Sequence, residues 1–487
     1  MKKSISFLLA SLLLIAPIAA CGESADSPAQ NTPAQTADTA AAETAAEAAV
    51  TDVLDNLPDE DYGGRKFNIL LREGFEYEFV SEEENGDIIN DAVYRRNRSV
   101  EEKFNIKFGT VSRYTVWGNE DKFNKELEKS VMSGSQDYDL VAGYAAMILG
   151  VIKPGLFINW YEIPNVDVSQ PWWSPQIADS LTINGRLYAM TGDIALSLWK
   201  NMVCIYFNKK LAEDYAVGEL YQPVYDGVWT FDKVQAAASK VSSDLDGDQK
   251  YTQADLYGYT SYHSTAIDSY MPAFDIQVLK RGEDGMLYFA INNEKTVGAL
   301  EKLIGFFYGG SDYAVTSSKW DHEKIFKEDR SLFYAHDLRT ASTLRDMETD
   351  YGMLPYPKYD EQQEKYYSTA TDIFSLMLVP STVVDPELVG LVSEALCSKS
   401  WESVTPIYYD ISLKDKYNRD AQSSDMLDLI RSCLIFDIGY LNSYALDSAG
   451  HLFMQLMHGE NTDLASAYAK KEKSFEKRLA KMLEAYE

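Results

Sequence analysis

The chain has 487 residues and a formal net charge of −30, with acidic side chains dispersed along its length rather than gathered in a tail. This charge argues against nucleic acid as a partner and against broad adhesion to anionic lipid, because both would repel the protein. The length is sufficient for two lobes rather than one core.

The N-terminus predicts export. Three residues, Met1-Lys2-Lys3, precede an apolar run from residue 5 to residue 18, and two alanines follow it directly before Cys21. This is the pattern of a secretory signal peptide over residues 1–20, too short to span a bilayer comfortably. The run Ile18-Ala19-Ala20 ahead of Cys21 resembles a bacterial lipobox, in which the cysteine becomes the lipidated (palmitate-carrying) mature N-terminus. An ordinary signal peptide followed by a chance cysteine is the alternative.

Residues 21–57 predict a lipidated cysteine and a disordered linker, because Ala, Thr, Glu, Ser, Pro, Gln and Asp dominate there and cannot bury a core. We therefore expect the folded body to be tethered at the outer face of the cell membrane, on the periplasmic side if the host has two membranes. No later segment is long and apolar enough to predict a membrane span.

Beyond the linker, strand-like and helix-like segments alternate. The pattern predicts a strand at 66–71, a helix at 87–104, a strand at 106–111, a helix that carries Phe123, Leu127 and Val131 on one face, and a strand at 138–142. This β-α-β-α-β order predicts a parallel sheet with helices on its faces.

The second part of the chain repeats the pattern with longer insertions. We expect strands at 202–207, 257–260 and 332–334, and helices at 231–241, 296–308 and 385–398. A last helix begins near Thr462, because five apolar residues recur on one side of it: Leu464, Tyr468, Phe475, Leu479 and Leu483.

Three cysteines lie beyond Cys21: Cys204, Cys397 and Cys433. An exported chain could oxidise two of them, and Cys397 with Cys433 is the first pair to test. The preferred expectation is that all three are buried and unpaired.

One loop, at 244–255, has the spacing of a calcium site. Carboxylates stand at its first, third, fifth and twelfth positions, and a backbone carbonyl is available at the seventh. The predicted ligands of one structural Ca²⁺ are Asp244, Asp246, Asp248, Lys250 (through its carbonyl) and Asp255. Gln249 at the sixth position and Asp at the twelfth resemble the shorter-armed calcium loops of dockerins more than a sensor EF-hand. A solvated turn rich in aspartate is the alternative.

A series of short motifs runs through residues 58–487. They are DAVYRRNR (91–98) with VEEKFNI (100–106), DYDLV (137–141), LYAMTGD (187–193) with CIYFNK (204–209), GVWTFD (227–232) and YGMLPYP (351–357). In this order, behind a lipobox and a linker, they resemble the family of extracellular solute-binding proteins that serve carbohydrate ABC importers.

The resemblance implies an α/β, two-lobed, periplasmic-binding-protein-like fold of type II, with a ligand cleft between lobes joined by hinge crossings. Lobe 1 is expected at 58–195 plus about 368–400, and lobe 2 at 196–367 plus about 401–487. The chain would cross near 193–198 and again near 367–374. The implied function is capture of a sugar or oligosaccharide and delivery to the permease of an ABC importer, by a monomer without catalytic residues.

Ligand contacts in parallel α/β sheets come from loops at the carboxyl ends of strands. Combined with the expected lobe crossings, which add Asp193, the nearby Trp199 and Asp372, and with the aromatic and hydrogen-bonding groups that a sugar needs, this rule leads to ten residues. The predicted ligand-binding residues are Arg72, Glu73, Tyr144, Asp193, Trp199, Tyr262, His336, Asp337, Arg339 and Asp372.

Plainer roles are open for several of these residues. Arg72 and Glu73 could be solvated loop charges, and Trp199 could pack at the hinge. For His263, next to Tyr262, a core or surface role is preferred to ligand contact. The pair Trp172-Trp173 could form a sugar platform, but pinning of a loop to the first lobe is preferred.

Two other functional classes stay open. A surface-anchored polysaccharide-degrading enzyme needs only two carboxylates across a cleft, although the chain has no Gly-x-Ser-x-Gly, His-Glu-x-x-His or phosphate-loop motif. An adhesion lipoprotein is the other class. Within the binding class, a peptide or another polar solute is the alternative to a sugar.

Overall fold

The computed structural model describes residues 52–116, 121–262, 264–309, 312–409 and 420–487. The predicted signal peptide, Cys21, the linker up to residue 51 and His263 lie outside the described residues. A 3₁₀ helix, Val53–Asn56, lies within the range predicted as linker, and its Leu54 is buried. These last residues therefore belong to the folded body rather than to a disordered segment.

Eleven strands occur in the described part of the chain. They are β1 (Arg65–Arg72), β2 (Ile106–Arg113), β3 (Leu140–Tyr144), β4 (Val203–Asn208), β5 (Tyr257–Tyr262), β6 (Leu279–Arg281), β7 (Leu287–Phe289), β8 (Ala314–Ser317), β9 (Ser331–Asp337), β10 (Tyr351–Leu354) and β11 (Ser375–Leu378).

The α-helices that the same residues form are mostly short. They are α1 (Glu76–Phe79), α2 (Ile88–Phe104), α3 (Asp121–Met132), α4 (Ala145–Ile148), α5 (Pro175–Leu181), α6 (Leu196–Lys200), α7 (Lys209–Asp214), α8 (Gln222–Tyr225), α9 (Phe231–Ala238), α10 (Thr265–Asp268), α11 (Tyr270–Ala273), α12 (Glu294–Tyr308), α13 (His322–Lys327), α14 (Thr340–Thr343), α15 (Pro386–Ser403), α16 (Ala421–Ser432), α17 (Ile438–Leu441), α18 (Leu452–His458) and α19 (Leu464–Leu483). Further 3₁₀ helices lie at Leu149–Val151, Trp160–Glu162, Leu344–Asp346, Ala449–His451 and Glu484–Tyr486.

The first sheet has the strand order β11-β3-β1-β2. Strand β1 pairs in parallel with both β2 and β3, which confirms the β-α-β-α-β prediction for this region. All five residues of β3 are buried, as expected for a strand covered on both faces. The edge strand β11 pairs antiparallel with β3, although it comes from a segment more than two hundred residues later in the chain.

Helix α2 connects β1 to β2 and shows how local sequence sets its ends. The Asp87 side chain accepts hydrogen bonds from the amides of Ile89 and Asn90 at the N-terminus, and Asn105 ends the helix in the left-handed conformation with φ 46°. The apolar face of α2 packs inward through Val93, Val100 and Phe104. The predicted helix at 87–104 is confirmed.

The second sheet has the order β10-β4-β9-β5-β8. Strand β5 is parallel to β8 and β9, whereas β4 runs antiparallel to β9 and to β10. The predicted strands near 202–207, 257–260 and 332–334 correspond to β4, β5 and β9. The predicted C-terminal helix corresponds to α19, which buries Leu464, Tyr468, Phe475 and Leu479.

One segment, Thr369 to Phe374, contacts both sheets through its backbone. On the side of the second sheet, the Val203 amide donates to the Thr369 carbonyl at 3.0 Å, and the Thr371 amide donates to the Asn201 carbonyl at 2.8 Å. On the side of the first sheet, the amides of Ala146 and Ala145 donate to the carbonyls of Asp372 and Phe374 at 3.1 and 3.0 Å. We refer to residues 369–374 as the crossing segment.

Each strand lies within the range that the sequence predicts for its lobe, while the lobe boundaries themselves stay a prediction. Among the described residues, no helix combines the length and the apolar character that crossing a membrane requires.

Cys204, Cys397 and Cys433 are free thiols, and Cys433 is only half-buried, so the expectation of burial is wrong for that residue.

Candidate functional site

A pocket of about 420 Å³ lies where strands of both sheets end. Tyr144 is the last residue of β3 in the first sheet, and Tyr262 and Asp337 are the last residues of β5 and β9 in the second. The pocket gathers six of the ten residues that the sequence predicts for ligand binding: Tyr144, Tyr262, His336, Asp337, Arg339 and Asp372. The strand-end rule thus selects positions that the fold brings together, and their role in binding stays a prediction.

The strongest ion pair of the pocket joins Asp337 and Arg339. The Arg339 Nε lies 3.1 Å from both carboxylate oxygens of Asp337, and its Nη2 donates to Oδ2. His336 Nδ1 lies 3.3 Å from Asp337 Oδ1. Burial raises the pKa of Asp337, but hydrogen bonds and charge from His336 and Arg339 outweigh it, so the pKa lies below its usual value. This carboxylate is therefore a fixed, ionised acceptor.

Two other carboxyl groups of the pocket have no ion-pair partner within 4 Å among the described residues. Asp268 and Asp372 are 5% and 7% exposed. Burial raises the pKa of Asp268 to about 8, opposed by a hydrogen bond from Tyr440 and reinforced by the charge of Asp372. Burial also raises the pKa of Asp372 to about 6, opposed by a backbone amide and by Arg72. Burial thus favours the protonated form of both carboxyl groups, more strongly in Asp268 than in Asp372.

The sequence did not select the residues that complete the pocket. They are Ser264, Asp268, Ile373, Tyr440, Ser448, His451, Met454 and Gln455. Asp268 and Tyr440 are joined by a hydrogen bond of 2.9 Å from the Tyr440 hydroxyl to Oδ2, although the two residues are 172 positions apart in the chain. Burial lowers the pKa of His451 to about 4, so its imidazole is neutral at physiological pH. Four of these eight residues, Tyr440, His451, Met454 and Gln455, lie on short helices near the C-terminus.

Arg72 does not line the pocket but contacts two residues that do, Tyr144 and Ile373. Its guanidinium stacks on the rings of Tyr144 and Phe75, 4.0 and 4.1 Å from their centroids. It also donates to the carbonyls of Thr115 at 3.2 Å and Ile373 at 3.0 Å. Arg72 therefore links β1 to the crossing segment and holds the Tyr144 ring in place.

Besides Arg72, three other predicted ligand residues lie outside this pocket. Glu73 is exposed and follows β1, and its backbone amide donates to the Arg113 carbonyl at 2.9 Å. Asp193 and Trp199 line a different pocket of about 350 Å³, together with Arg431. The Arg431 guanidinium lies 4.4 Å from the Trp199 ring centroid. At this first crossing the chain turns into α6 instead of ending a strand, and a role of Asp193 and Trp199 in binding stays a prediction.

The Trp172-Trp173 pair contacts the body of the protein rather than forming a platform. Both indole nitrogens donate to Glu394 of α15 at 2.8 Å. Trp173 is 2% exposed and its ring lies 5.5 Å from that of Trp160. The preferred prediction, that this pair pins a loop, agrees with these contacts.

Three of the five predicted calcium ligands come together in the loop at 244–255. Ligand atoms of Asp244, Asp246 and Asp255 lie within 4.8 Å of one another. A hydrogen bond from the Asp248 amide lowers the pKa of Asp246, but reduced hydration and the charges of the neighbouring carboxylates outweigh it and raise that pKa. The Asp248 carboxylate lies outside this group and accepts from the Lys250 amide at 2.8 Å. Oxygen ligands of this kind suit Ca²⁺.

Because the pKa of Asp268 is raised, we expect the unfolding free energy of the protein to depend on pH. Its pKa in the folded protein, about 8, lies above the ordinary value of 3.8, so its contribution to stability is complete below about pH 4 and is lost as pH rises through 8. Asp268→Asn imitates the protonated form. Between pH 4 and pH 8 we expect the unfolding free energy of Asp268→Asn to fall less than that of the wild type, by a few kcal/mol. Each unit of difference between the folded and unfolded pKa of Asp268 corresponds to about 1.4 kcal/mol.

Chemical denaturation of the two proteins across this pH range measures the difference. Asp179→Asn, at an exposed position on α5, is the control and should leave the pH profile unchanged. Parallel profiles for the wild type and Asp268→Asn would contradict the assignment.

Comparison with known proteins adds fold-level information. Neither a protein-family model nor a curated protein matches the sequence. Among solved structures, the galacto-N-biose-/lacto-N-biose I-binding protein of the ABC transporter from Bifidobacterium longum is similar, with a TM-score of 0.57 and 13% identity over 87% of this chain and 99% of that one. The maltose/maltodextrin-binding domain MalE from Bdellovibrio bacteriovorus has a TM-score of 0.54 and 12% identity, over 85% and 100% of the two chains.

A third similar structure is the GacH receptor of Streptomyces glaucescens, solved in unliganded form and with acarbose. Its TM-score is 0.53 and its identity 12%, over 86% of this chain and 99% of that one. These neighbours are binding proteins rather than enzymes. The chain therefore has the two-lobed α/β fold of the MalE-like, type II solute-binding proteins.

Proposed function

We propose that this protein captures a sugar or oligosaccharide in the pocket at the strand ends and delivers it to the permease of an ABC importer. The observation that carries the proposal is the position of the pocket. Side chains from the ends of β3, β5 and β9 and from the crossing segment meet there, so one solute can contact both sheets at once. Solutes bind at such switch points in open α/β sheets.

The chemistry of the pocket supports a polyhydroxylated solute. The Tyr262 ring is 42% exposed and offers a flat face for the C–H surface of a sugar ring. The Asp337 and Asp372 carboxylates can accept hydrogen bonds from hydroxyl groups, while Arg339 and protonated Asp268 can donate them. A volume of about 420 Å³ lies within the range of small-molecule sites, ~300–1,000 Å³.

The two sheets support a mechanism of lobe closure. A solute that contacts Tyr144 from the first sheet and Asp337 from the second binds more tightly when the lobes are closed. It therefore shifts the population towards the closed state, which would dock on the permease. No bond in the solute needs to break.

One observation favours a glycosidase as the second candidate. Asp337 has a lowered pKa and Asp268 a raised one, and carboxyl groups with pKa values pushed apart are what an acid and a base require. The fold of the neighbours favours the binding protein. The two candidates differ in whether the sugar is recovered intact.

Thermal unfolding against a panel of mono- and oligosaccharides, including maltotriose and lacto-N-biose, tests the proposed function. A sugar at 100 times its dissociation constant should add about 2.7 kcal/mol to the unfolding free energy. Recovery of that sugar uncleaved would support a receptor, and cleavage would support the hydrolase. No shift with any sugar would overturn the sugar proposal in favour of a peptide or another polar solute.

Matched tyrosine variants connect the shift to the pocket. Tyr262→Ala should weaken binding about tenfold or more, because it removes an exposed aromatic face without opening a core. Tyr288→Ala, on a ring that is 50% exposed in β7 and outside the pocket, should bind like the wild type. Equal affinity of the two variants would place the solute elsewhere.

The same proposal includes export and membrane anchoring through Cys21. A lipidated N-terminal cysteine would hold the body at the outer face of the membrane, near the permease. Cys21→Ser should abolish labelling by a palmitate analogue in expressing cells and release the protein from the membrane fraction, whereas Cys433→Ser should do neither. Labelling that persists in Cys21→Ser would exclude this anchor.

We further propose that the loop at 244–255 holds one structural Ca²⁺ through Asp244, Asp246 and Asp255. Their clustered negative charge repels in the absence of a cation, so millimolar Ca²⁺ should raise the melting temperature. Asp246→Asn should reduce this increase and Asp179→Asn should not. Calorimetry with and without EDTA measures it, and a melting temperature indifferent to Ca²⁺ would refute the site.

A further inference from the structure

Glu78 of α1 is a fully buried carboxyl group that does not line the pocket. The amide and the hydroxyl of Ser197 donate to its Oε2 at 3.2 and 2.8 Å, and the Ser375 hydroxyl donates to its Oε1 at 3.2 Å. The Ser375 amide in turn donates to the Ser197 hydroxyl at 3.1 Å. Glu78, Ser197 and Ser375 therefore form one closed group of hydrogen bonds, which we call the Glu78 cluster.

The Glu78 cluster joins three segments that are distant in the sequence. Ser197 lies on α6, within the first expected lobe crossing, and is separated from Glu78 by 119 positions. Ser375 is the first residue of β11, directly after the crossing segment, and is separated from Glu78 by 297 positions. One carboxyl group thus binds residues at both crossings between the lobes.

Helix α6 links the Glu78 cluster to the crossing segment. The Ser197 carbonyl accepts hydrogen bonds from the Asn201 amide at 3.0 Å and from the Asn201 side chain at 2.7 Å, so the residue after α6 is held to Ser197. The Asn201 carbonyl accepts from the Thr371 amide at 2.8 Å. Thr371 directly precedes Asp372, which lines the pocket. A shift of α6 would therefore displace the backbone that carries this pocket carboxyl group.

The same helix holds the backbone of Arg339. The carbonyl of Lys200, the last residue of α6, accepts a hydrogen bond from the Arg339 amide at 3.0 Å. Arg339 lines the pocket and forms its ion pair with Asp337. The end of α6 is thus bonded to the backbone on both sides of the pocket's charged groups, at Arg339 and next to Asp372.

The charge of Glu78 determines the strength of its hydrogen bonds, because bonds to an ionised carboxylate are about twice as strong as those between neutral groups. Burial raises the pKa of Glu78 to about 7, opposed by the hydrogen bonds from the two serines and by a nearby lysine. The carboxylate form therefore predominates only above about pH 7. The charged or titratable groups that act on Glu78 are one tyrosine and three cations: Tyr77, Arg72, Arg96 and Lys200.

We propose that Glu78 is a positioning residue for the solute pocket: its buried carboxylate fixes α6 and the start of β11 and thereby aligns the backbone that carries Arg339 and Asp372. Glu78 acts on the solute only through these segments. The effect on solute affinity rests on the proposed sugar-binding function. The connection from Glu78 to the backbone of the pocket does not.

Hydrogen–deuterium exchange without any solute tests this connection. Glu78→Gln keeps the shape of the side chain but removes its charge. At about pH 8 we expect peptides that cover α6 and residues 369–378 to exchange about fivefold or more faster than in the wild type, because the partners of the Ser197 and Ser375 amides are weakened. Wild-type exchange rates in these peptides would overturn the proposal.

Glu394 of α15 provides a matched control. It is also buried, burial raises its pKa to about 7, and it also accepts three hydrogen bonds, from the indoles of Trp172 and Trp173 and from the Asp167 amide. None of these donors belongs to α6, β11 or the crossing segment. Glu394→Gln should leave both the exchange of these peptides and the affinity for sugar unchanged. The same changes in this variant would show a general loosening and would contradict a specific role of Glu78.

Affinity for the sugar of the panel with the largest thermal shift provides the functional measurement. At about pH 8.5, Glu78→Gln should bind it about tenfold more weakly than the wild type. At about pH 5.5 the difference should shrink to about twofold or less, because Glu78 is then protonated in the wild type as well. Asp268 and Asp372 are present in both proteins, so their titration cancels in the ratio of affinities. Equal affinities at both pH values, or a loss that is the same at both, would refute the proposed role of the carboxylate.

A second variant, Ser375→Ala, keeps the proposal testable if Glu78→Gln does not fold. It removes one of the three donors and leaves the carboxyl group in place, so it should weaken binding about threefold to tenfold at about pH 8.5. Wild-type affinity in Ser375→Ala would count against the positioning role. A wild-type protein that binds no sugar, together with faster exchange in Glu78→Gln, would refute the sugar proposal and still support the connection from Glu78 to the backbone of the pocket.

Discussion

The crossing segment is the constraint on which the site depends. Its backbone is hydrogen-bonded on one side to residues next to β4 and on the other to residues that follow β3. Residues 369–374 thereby connect β4 of the second sheet to α4, the helix that follows β3 of the first. They also place Asp372 in the pocket and supply the Ile373 carbonyl that holds the Arg72 guanidinium. Through Arg72 the same segment orients the ring of Tyr144, so it affects both walls of the pocket.

Burial at this junction decides the electrostatics of the pocket. The chain as a whole carries a formal charge of −30, and its surface is rich in ionised carboxylates. Inside the pocket the balance differs, because Asp337 is paired with Arg339 and the pKa of Asp268 is raised to about 8. The result is a site with many donors and acceptors but little net charge. Such a site suits a neutral solute with many hydroxyl groups better than an ion.

The value of the strand-end rule can be judged from particular residues. It selected Tyr144, Tyr262 and Asp337, which line one pocket, because each ends a strand and strand positions follow from apolar runs that are visible in the sequence. It did not bring Asp193 and Trp199 to the same pocket, since the chain there turns into a short helix at the crossing rather than ending a strand. It also missed the helical residues Asp268 and Tyr440, whose contact spans 172 positions. No local spacing encodes a contact of that kind.

The sequence by itself determined the alternation of strands and helices, the parallel sheet formed by β1, β2 and β3, the helix ends at Asp87 and Asn105, and most of the strand-end residues. These features depend on side-chain periodicity and on capping groups a few residues apart, so they can be read locally. Only the tertiary structure decided that β11 joins the first sheet, that Asp193 and Trp199 line a separate pocket, and that Asp268 is buried against Tyr440. Each of these depends on which distant segments pack together, and burial of that kind sets both the pKa of a carboxyl group and the shape of a cavity.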